Sequence, residues 1–306
     1  MPRRHIMKDQ AHTLRKIFEG AGSPSLPQVL SVTSGKGGVG KTSIVVNMAI
    51  LMASQGKKVL VLDADLGLAN IDVMLGLTPK HNIKHVLDGQ CALEDILLEG
   101  PGGIKIIPAS SGIQELVDLS HEQQLSLMNS MDYFEQDIDY MLIDTGAGIS
   151  KNVMYFNCAA QRIIVVATAE PTSITDAYAL IKVLRRRYGI KRFNLIVNNV
   201  SSKVEGDQVA RKLTMVCERF LGDVALDMLG SIPTDPGITE CIKGQKAFVG
   251  VNPNGESSKR LERIVRHLEY SEGVNNNGNI QFFFKRMLLN QVRGSNHAGY
   301  SISRPY

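Results

Sequence analysis

The stretch Ser34-Gly35-Lys36-Gly37-Gly38-Val39-Gly40-Lys41-Thr42 decides the fold of this chain. It follows the apolar run 29–32, which predicts a buried strand, and it leads into residues 43–53, which predict a helix. The glycines let successive backbone N–H groups turn toward one centre, and the start of the helix adds a partial positive charge there. The spacing Gly35-x-x-x-x-Gly40-Lys41-Thr42 therefore predicts a loop that binds nucleotide phosphates.

Side chains within this loop have separate predicted tasks. Lys41 is placed to reach the β- and γ-phosphates of a nucleoside triphosphate, and the Thr42 hydroxyl is placed to bind magnesium. Lys36 is a second lysine, which an ordinary phosphate loop does not require. The predicted nucleotide-binding residues of the loop and of the first helical turn are Gly35, Lys36, Gly37, Gly38, Val39, Gly40, Lys41, Thr42 and Ser43.

The composition is typical of an ordinary soluble protein. Of the 306 residues, 43% are hydrophobic and 21% are charged, and the formal net charge is +4. This mild charge permits contact with nucleic acid or an anionic membrane but favours neither. The chain has no run of eighteen apolar residues and no apolar signal core at its start, so we expect neither a membrane span nor export. The cysteines form no C-x-x-C pair, which favours reduced thiols over a metal or disulfide role.

Seven apolar runs alternate with helical patterns along the middle of the chain. This alternation predicts an α/β fold with a doubly wound, mostly parallel sheet of seven to eight strands and helices on both faces. Ligands then bind at the carboxyl ends of the strands. The runs are 29–32, 59–62, 104–107, 140–143, 163–167, 193–197 and 228–232, and two clear helical patterns cover 120–133 and 174–188.

Three aspartates follow predicted strands and are candidates for the magnesium site. Asp63 and Asp65 come directly after the run 59–62, where one carboxylate can serve the magnesium and the other can orient an attacking water. The alternative for this pair is a solvated turn. Asp144 ends the run 140–143, and an aspartate in that position is the usual second magnesium anchor. Its alternative is a cap on the helix that follows.

Polar residues at the ends of later strands are candidates for base recognition. Asn198 follows the run 193–197, and its side-chain amide can donate to and accept from an adenine edge. Together with Asn199 it also fits a pair of turn asparagines. Pro233 follows the last strand and is placed to form a wall for the base. The basic cluster 185–187, Lys191 and Arg192 fits a solvated helix end better than a nucleic-acid patch.

The first 25 residues are predicted to lie outside the folded domain. Residues 20–25 read as a flexible linker, and before them Ala11, Leu14 and Phe18 share one helical face behind a possible N-cap at Asp9. This pattern fits a short peptide that folds onto a partner, and it fits a disordered tail equally well.

A second appended segment follows a polar linker over residues 271–279. The stripe Ile280, Phe283, Phe284, Met287 and Leu288 has helical spacing. It predicts an amphipathic helix over 280–290 that inserts into a membrane interface, although a last core helix fits the same pattern. We expect residues 291–306 to be a disordered tail.

The motifs together resemble the MinD/ParA class of deviant phosphate-loop ATPases, for which Lys36 is the signature residue. Within that class the chain is similar to the FlhG family of flagellar-number regulators, whose members are also named FleN or YlxH. The resemblance covers residues 9–289 and identifies 26–270 as a MinD-like ATPase domain. Four stretches carry it: 9–15 (DQAHTLR), 63–70 (DADLGLAN), 144–149 (DTGAGI) and 170–179 (EPTSITDAYA).

This resemblance implies roles for the candidate residues. Lys36 would reach the nucleotide of a second subunit, so that ATP holds a homodimer together. Asp65 would position the attacking water. The enzyme would be a slow, magnesium-dependent ATPase, with Lys36, Lys41 and Asp65 as its catalytic residues, Thr42, Asp63 and Asp144 around the magnesium, and Asn198 and Pro233 at the adenine.

The resemblance also implies partners and a location. The N-terminal segment would stimulate an FlhF-type GTPase, and an enhancer-binding flagellar transcription regulator is a further partner in some bacteria. The C-terminal helix would attach the ATP-bound dimer to the anionic cytoplasmic face of the inner membrane, while the protein is otherwise cytoplasmic. The residues implied in GTPase binding are Asp9, Gln10, Ala11, Leu14 and Arg15.

Two other functions fit some of the same residues. A DNA-segregation ATPase has the same fold, but the N-terminal motif and the Phe-rich C-terminal segment argue against a nucleic-acid partner. A redox ATPase or small-molecule kinase is the second alternative. Cys91 and Cys158 lack the loop context that a redox role needs, and a kinase leaves Lys36 unexplained.

Overall fold

The computed structural model describes residues 27–65, 71–108 and 138–270. The predicted N-terminal partner segment, the helix over 120–133 and the C-terminal segment 271–306 lie outside these residues. None of the helices in the described ranges combines the length and the apolar content that crossing a bilayer requires.

Eight strands in the described part of the chain form one sheet. They are β1 (Gln28–Ser34), β2 (Val59–Ala64), β3 (Leu98–Glu99), β4 (Lys105–Ile107), β5 (Tyr140–Ala147), β6 (Arg162–Ala167), β7 (Arg192–Val200) and β8 (Ala225–Pro233). Their order across the sheet is β3-β4-β2-β5-β1-β6-β7-β8. All neighbours run parallel except β3 and β4. The predicted fold class is therefore confirmed, and all seven predicted strands are present.

Helices cover both faces of this sheet. In the described ranges they are α1 (Lys41–Ser54), α2 (Ile71–Leu75), α3 (Ile83–Leu87), α4 (Lys151–Ala159), α5 (Pro171–Tyr188), α6 (Lys203–Leu221), α7 (Pro236–Lys243), α8 (Phe248–Val251) and α9 (Glu256–Tyr270). The apolar residues of α1, α8 and α9 share one core cluster, and those of α5 and α6 share another on the opposite face. The predicted helices over 43–53 and 174–188 are confirmed within α1 and α5.

The position of β1 in the middle of the sheet places the phosphate loop over its centre. Val29, Leu30 and Val32 of β1 are fully buried, as expected for a parallel strand that is covered on both faces. In the strand register, Asp144 of β5 lies opposite Val32 on one side and Asp63 of β2 on the other. The three strands therefore end level, and their carboxyl ends share one edge of the sheet.

The edge strand β3 was not predicted. It has two residues and pairs antiparallel with β4, so it is too short to produce a periodic sequence signal. The four cysteines form no disulfide with one another in the described ranges, and two are buried and two half-buried: Cys158 and Cys217, then Cys91 and Cys241.

Candidate functional site

Two glycines of the phosphate loop, Gly35 and Gly40, leave no room for a β-carbon. Gly40, which immediately precedes α1, has φ 91° and ψ 21°, in the left-handed region. A β-carbon at Gly40 would lie 2.4 Å from Nδ2 of Asn198, and one at Gly35 would lie 2.1 Å from the backbone of Asp176 in α5. The loop is therefore packed tightly against the end of β7 and against α5, which explains why the sequence pattern tolerates no side chain at these positions.

Below the loop, a threonine and an aspartate predicted for the magnesium site are in direct contact. The Oγ1 atom of Thr42 donates a hydrogen bond to Oδ2 of Asp144 at 2.6 Å. Asp144 is fully buried, and its Oδ1 atom has no hydrogen-bond partner among the described residues. Burial raises the pKa of Asp144 to about 7, against the Thr42 hydrogen bond, and Asp63 and Asp65 add repulsion that Lys41 partly offsets. This carboxylate is thus a buried acceptor that needs a cation to be stable in its charged form.

Lys41 is also buried within the loop. Desolvation lowers the pKa of its ammonium group, while the charges of Asp144 and Asp65 act in the opposite direction. A buried lysine beside backbone N–H groups is suited to a ligand that carries several negative charges.

The residues around Asp144 fit a magnesium ion shared with a nucleotide. The described residues contain no group of three or more His, Cys, Asp or Glu side chains arranged to hold a metal. This agrees with magnesium chemistry, since Mg²⁺ is usually held by one or two carboxylates together with waters and substrate phosphates. The unpaired Oδ1 atom of Asp144 and the adjacent Thr42 hydroxyl provide that partial set of ligands.

Asp63 and Asp65 take different positions at the end of β2. The two oxygens of Asp63 accept hydrogen bonds from the backbone N–H groups of Asp65 and Ile71, each at 3.2 Å. Asp63 therefore braces both ends of the segment that joins β2 to α2. The Asp65 carboxylate lies beside the end of β5, where a β-carbon at Gly146 would be 3.3 Å from its Oδ1 atom. The predicted roles of Asp63 at the magnesium and of Asp65 at the water remain predictions.

Lys36 is held by its own subunit in this conformation. Its Nζ atom forms an ion pair with Glu170 and a hydrogen bond to Oγ1 of Thr172 at 3.0 Å. The side chains of Lys36 and Glu170 are 36% and 63% exposed, and exposed ion pairs contribute only about 0–1 kcal/mol. This contact is therefore weak enough for a stronger anion to replace. The contact of Lys36 with Glu170 and Thr172 was not predicted from the sequence, where its only signal is that both partners lie in the motif 170–179.

A polar pocket lies beside the phosphate loop, between the ends of β6 and β7. The Oγ1 atom of buried Thr168 has no hydrogen-bond partner in the described ranges, which leaves a polar group for a ligand. The lining residues are Lys36, Gly37, Gly38, Val39, Thr168, Ala169, Glu170 and Asn199. Thr168 and Ala169 were not predicted, because they carry no motif of their own.

Asn198 and Pro233 lie at the neighbouring ends of β7 and β8. The Nδ2 atom of Asn198 donates to the carbonyl oxygen of Val39 at 2.8 Å, and the side chain is buried. Asn198 therefore contacts the phosphate loop itself, an interaction that neither sequence interpretation included. Asn199, at φ 55°, has the left-handed conformation of a turn asparagine. Pro233 pairs with Val200 in the strand register, so it lies at the carboxyl end of β8, next to that of β7. Contact of Asn198 or Pro233 with the base stays a prediction.

Comparison with known proteins identifies relatives over nearly the whole chain. A family model described as "AAA domain" matches residues 27–195. The Antiactivator FleN of Pseudomonas aeruginosa is 43% identical over 275 residues, which cover 90% of this chain and 98% of that protein. The Flagellum site-determining protein YlxH of Helicobacter pylori is 32% identical over 278 residues, which cover 90% of this chain and 93% of that protein.

Solved structures of cell-division ATPases share the fold. The MinC:MinD cell division protein complex of Aquifex aeolicus matches with a TM-score of 0.63 and 26% identity, over 80% of this chain and 97% of that chain. The septum site-determining protein MinD complexed with Mg-ADP, from Pyrococcus horikoshii OT3, matches with a TM-score of 0.63 over 83% of this chain and 100% of that chain. At 22% identity, the second match shows the fold alone.

Proposed function

The chain belongs to the FlhG family of MinD/ParA-type ATPases, which includes FleN and YlxH, and we propose that it is a nucleotide-dependent switch that controls the number or placement of flagella. In this proposal ATP converts a monomer into a homodimer, and hydrolysis returns it to the monomer. The observation that carries the proposal is the similarity to the Antiactivator FleN, which spans 98% of that protein.

The hydrolysis site is supported by the geometry at the carboxyl ends of β1, β2 and β5. Magnesium, when bound with the triphosphate, neutralises charge on the phosphate oxygens. The Thr42 hydroxyl and the Asp144 carboxylate would hold it, and Asp63 would keep the segment after β2 in place through its two backbone contacts. Lys41 would stabilise negative charge on the β- and γ-phosphates. Asp65, beside the end of β5, would orient the attacking water.

The dimer is supported by the position of Lys36 at the rim of the phosphate loop. Its exposed side chain is restrained by Glu170 and Thr172, and it would exchange these contacts for the phosphates of the partner's nucleotide. The γ-phosphate adds charge and acceptor oxygens that ADP lacks, so the exchange would favour the dimer more with ATP than with ADP.

Partners and membrane attachment are proposed from the two appended segments. The motif at residues 9–15 would stimulate an FlhF-type GTPase. The word Antiactivator in the name of the Pseudomonas aeruginosa relative supports a transcription regulator as a second partner. The stripe that begins at Ile280 would insert into the anionic cytoplasmic face of the inner membrane in the ATP state, because two such helices on one dimer bind far better than one.

Molar mass and vesicle binding test this proposal. Size-exclusion chromatography with light scattering should give a monomer in Mg-ADP and a dimer with a non-hydrolysable ATP analogue. Vesicles of phosphatidylglycerol and phosphatidylethanolamine should then bind the protein with the analogue but not with ADP. Phe283→Glu should abolish vesicle binding without changing the mass, whereas the control Phe283→Leu should retain it. A monomer in both nucleotides would exclude the switch.

A further inference from the structure

The basic cluster at the end of α5 and the start of β7 separates into two groups in the structure. Arg185 and Lys191 both bond to Asp223, with N···O distances of 2.7 and 2.9 Å. Arg186, Arg187 and Arg192 are exposed, and none of them has an acidic partner within the described ranges. We refer to these last three residues as the edge arginines. Their charge is available to a ligand, whereas that of Arg185 and Lys191 is already paired.

The edge arginines lie at the edge of the sheet opposite the nucleotide site, and the described chain ends at the same edge. Helix α9 begins near the carboxyl ends of the strands, where Oγ of Ser257 donates to Asp235 at 2.7 Å. It ends near the amino ends, where the Leu268 carbonyl accepts from Nη1 of Arg162 at 2.7 Å. Arg162 also donates to Asn194, two residues after Arg192. The end of α9 and the edge arginines therefore lie at the same end of the strands, although α9 and α5 pack on opposite faces of the sheet.

Positive charge and an aromatic residue occur together at this edge. Residues 185–192 contain five Lys and Arg and no Asp or Glu, and Asp223 pairs with two of these five. Tyr188, between Arg187 and Arg192 in sequence, is 44% exposed at the end of α5. Tyrosine beside arginine is the side-chain combination that favours the headgroup region of a bilayer.

We propose that the edge arginines and Tyr188 form a second contact with anionic phospholipid, at the same end of the strands as the end of α9. This inference rests on the proposed function, in which that segment binds the membrane. The ATPase domain itself would then contact the bilayer through the end of the sheet at which the strands begin, here called the amino edge.

A second membrane contact is expected because one amphipathic segment binds a bilayer only marginally. Stable attachment generally takes two signals, such as an apolar helix and a basic patch, and each basic residue near an anionic surface strengthens binding about fivefold. Arg186 and Arg187 lie in the last turn of α5, where a positive charge stabilises the helix dipole. Arg192 belongs to β7, so the dipole does not account for its charge. Duplex DNA is a poorer ligand for this patch, because sequence-independent DNA binding depends on the number of phosphates neutralised, and three arginines neutralise few.

The test compares two triple variants of the full chain that have the same net charge. The first is Arg186→Gln with Arg187→Gln and Arg192→Gln. The control is Lys212→Gln with Lys246→Gln and Lys259→Gln, three exposed lysines away from the amino edge. Binding is measured by co-sedimentation with a non-hydrolysable ATP analogue, on vesicles with 30 mol% phosphatidylglycerol and on pure phosphatidylcholine. Dimer mass and ATPase rate are measured without lipid and should match the wild type in both variants.

We expect the arginine variant to bind anionic vesicles at least tenfold more weakly than the lysine control, with no difference between the two on phosphatidylcholine. Equal binding of the two variants to anionic vesicles, while wild type binds well, would overturn this inference and leave the proposed function standing. Loss of duplex DNA binding without loss of vesicle binding would also overturn it and assign the patch to nucleic acid. No vesicle binding by the wild type in either nucleotide would refute the membrane part of the proposed function, and this inference with it.

Discussion

The Nδ2 atom of Asn198 lies 2.8 Å from the carbonyl oxygen of Val39 and donates a hydrogen bond to it, which joins the end of β7 to the phosphate loop. The same nitrogen occupies the space that a β-carbon at Gly40 would need. Both residues of this hydrogen bond are buried, so the bond is shielded from water. The shape of the loop therefore depends on a side chain from a strand that lies far along the chain.

Replacement of Asn198 should weaken nucleotide binding by deforming the loop. Asn198→Ala leaves the buried Val39 carbonyl without its donor, which costs about 1–3 kcal/mol, and we expect about tenfold weaker ATP binding by isothermal titration calorimetry. Asn198→Asp has nearly the same shape but places a negative charge toward the carbonyl and the phosphates, so it should be more damaging. Unchanged affinity in both variants would show that the loop keeps its shape without this bond.

The stability of the nucleotide-free protein should depend on the ionisation of Asp144. Its pKa in the folded state, about 7, lies above the ordinary value of 3.8, so the folded protein retains a proton that the unfolded chain loses between about pH 4 and 7. The free energy of unfolding therefore falls as the pH rises through this range. Urea unfolding in EDTA should show a loss of roughly 1–4 kcal/mol from this group between pH 5 and 8.

The matched variant for this effect is Asp144→Asn, which keeps an oxygen that can accept from Thr42 and removes the charge. It should lose less stability than the wild type over the same pH range, and it should be the more stable of the two at pH 8. If both proteins show the same slope, the pH dependence comes from other groups.

Replacement of Lys36 should affect dimerisation, whereas replacement of Lys41 should affect nucleotide binding itself. Lys36→Ala removes an exposed side chain that contacts Glu170 and Thr172, so monomeric ATP binding should remain within a few-fold of the wild type. Dimer formation with the ATP analogue should be lost. Lys41→Ala removes a buried charge from within the loop and should abolish binding itself. Light scattering and calorimetry on both variants make the comparison, and identical behaviour would argue against a role for Lys36 across an interface.

Asp65 should affect hydrolysis more than binding. Its carboxylate lies beside Gly146, and the hydrogen bond that joins Thr42 to Asp144 does not include it. We expect Asp65→Ala and Asp65→Asn to bind Mg-ATP yet hydrolyse it at least a hundredfold more slowly, because the water loses its orienting group. The ATP-bound dimer should then persist, because hydrolysis no longer returns it to monomers. Loss of Mg-ATP binding in both variants would instead place Asp65 among the magnesium ligands.

Deletion of residues 1–25 should remove one activity and leave the others. The described domain begins after this segment, so dimerisation and ATP hydrolysis should change less than twofold. Stimulation of an FlhF-type GTPase should disappear, and a synthetic peptide of residues 9–18 should partly restore it. Phosphate release by the GTPase measures both effects, and full stimulation by the truncated chain would contradict the role given to residues 9–15.

The fold could be predicted from the sequence because its determinants are local. Parallel strands that are buried on both faces read as continuous apolar runs, and all seven such runs became strands. The phosphate loop is equally local, since its glycines and Lys41 act through consecutive backbone groups. The edge strand β3 was not predicted, because a strand of two residues is too short to show a periodic pattern of apolar side chains.

Contacts between distant parts of the chain could not be predicted in this way. The sequence by itself determined which side chains stand at the carboxyl ends of β1, β2, β5 and β7, because the end of a strand is a local feature. Only the tertiary structure decided that Asn198 bonds to Val39, that Lys36 pairs with Glu170, and that Asp144 lies close enough to its neighbours to raise its pKa. These outcomes depend on strand order and register, because hydrogen bonds and charge interactions act over a few ångströms between atoms that the sheet brings together.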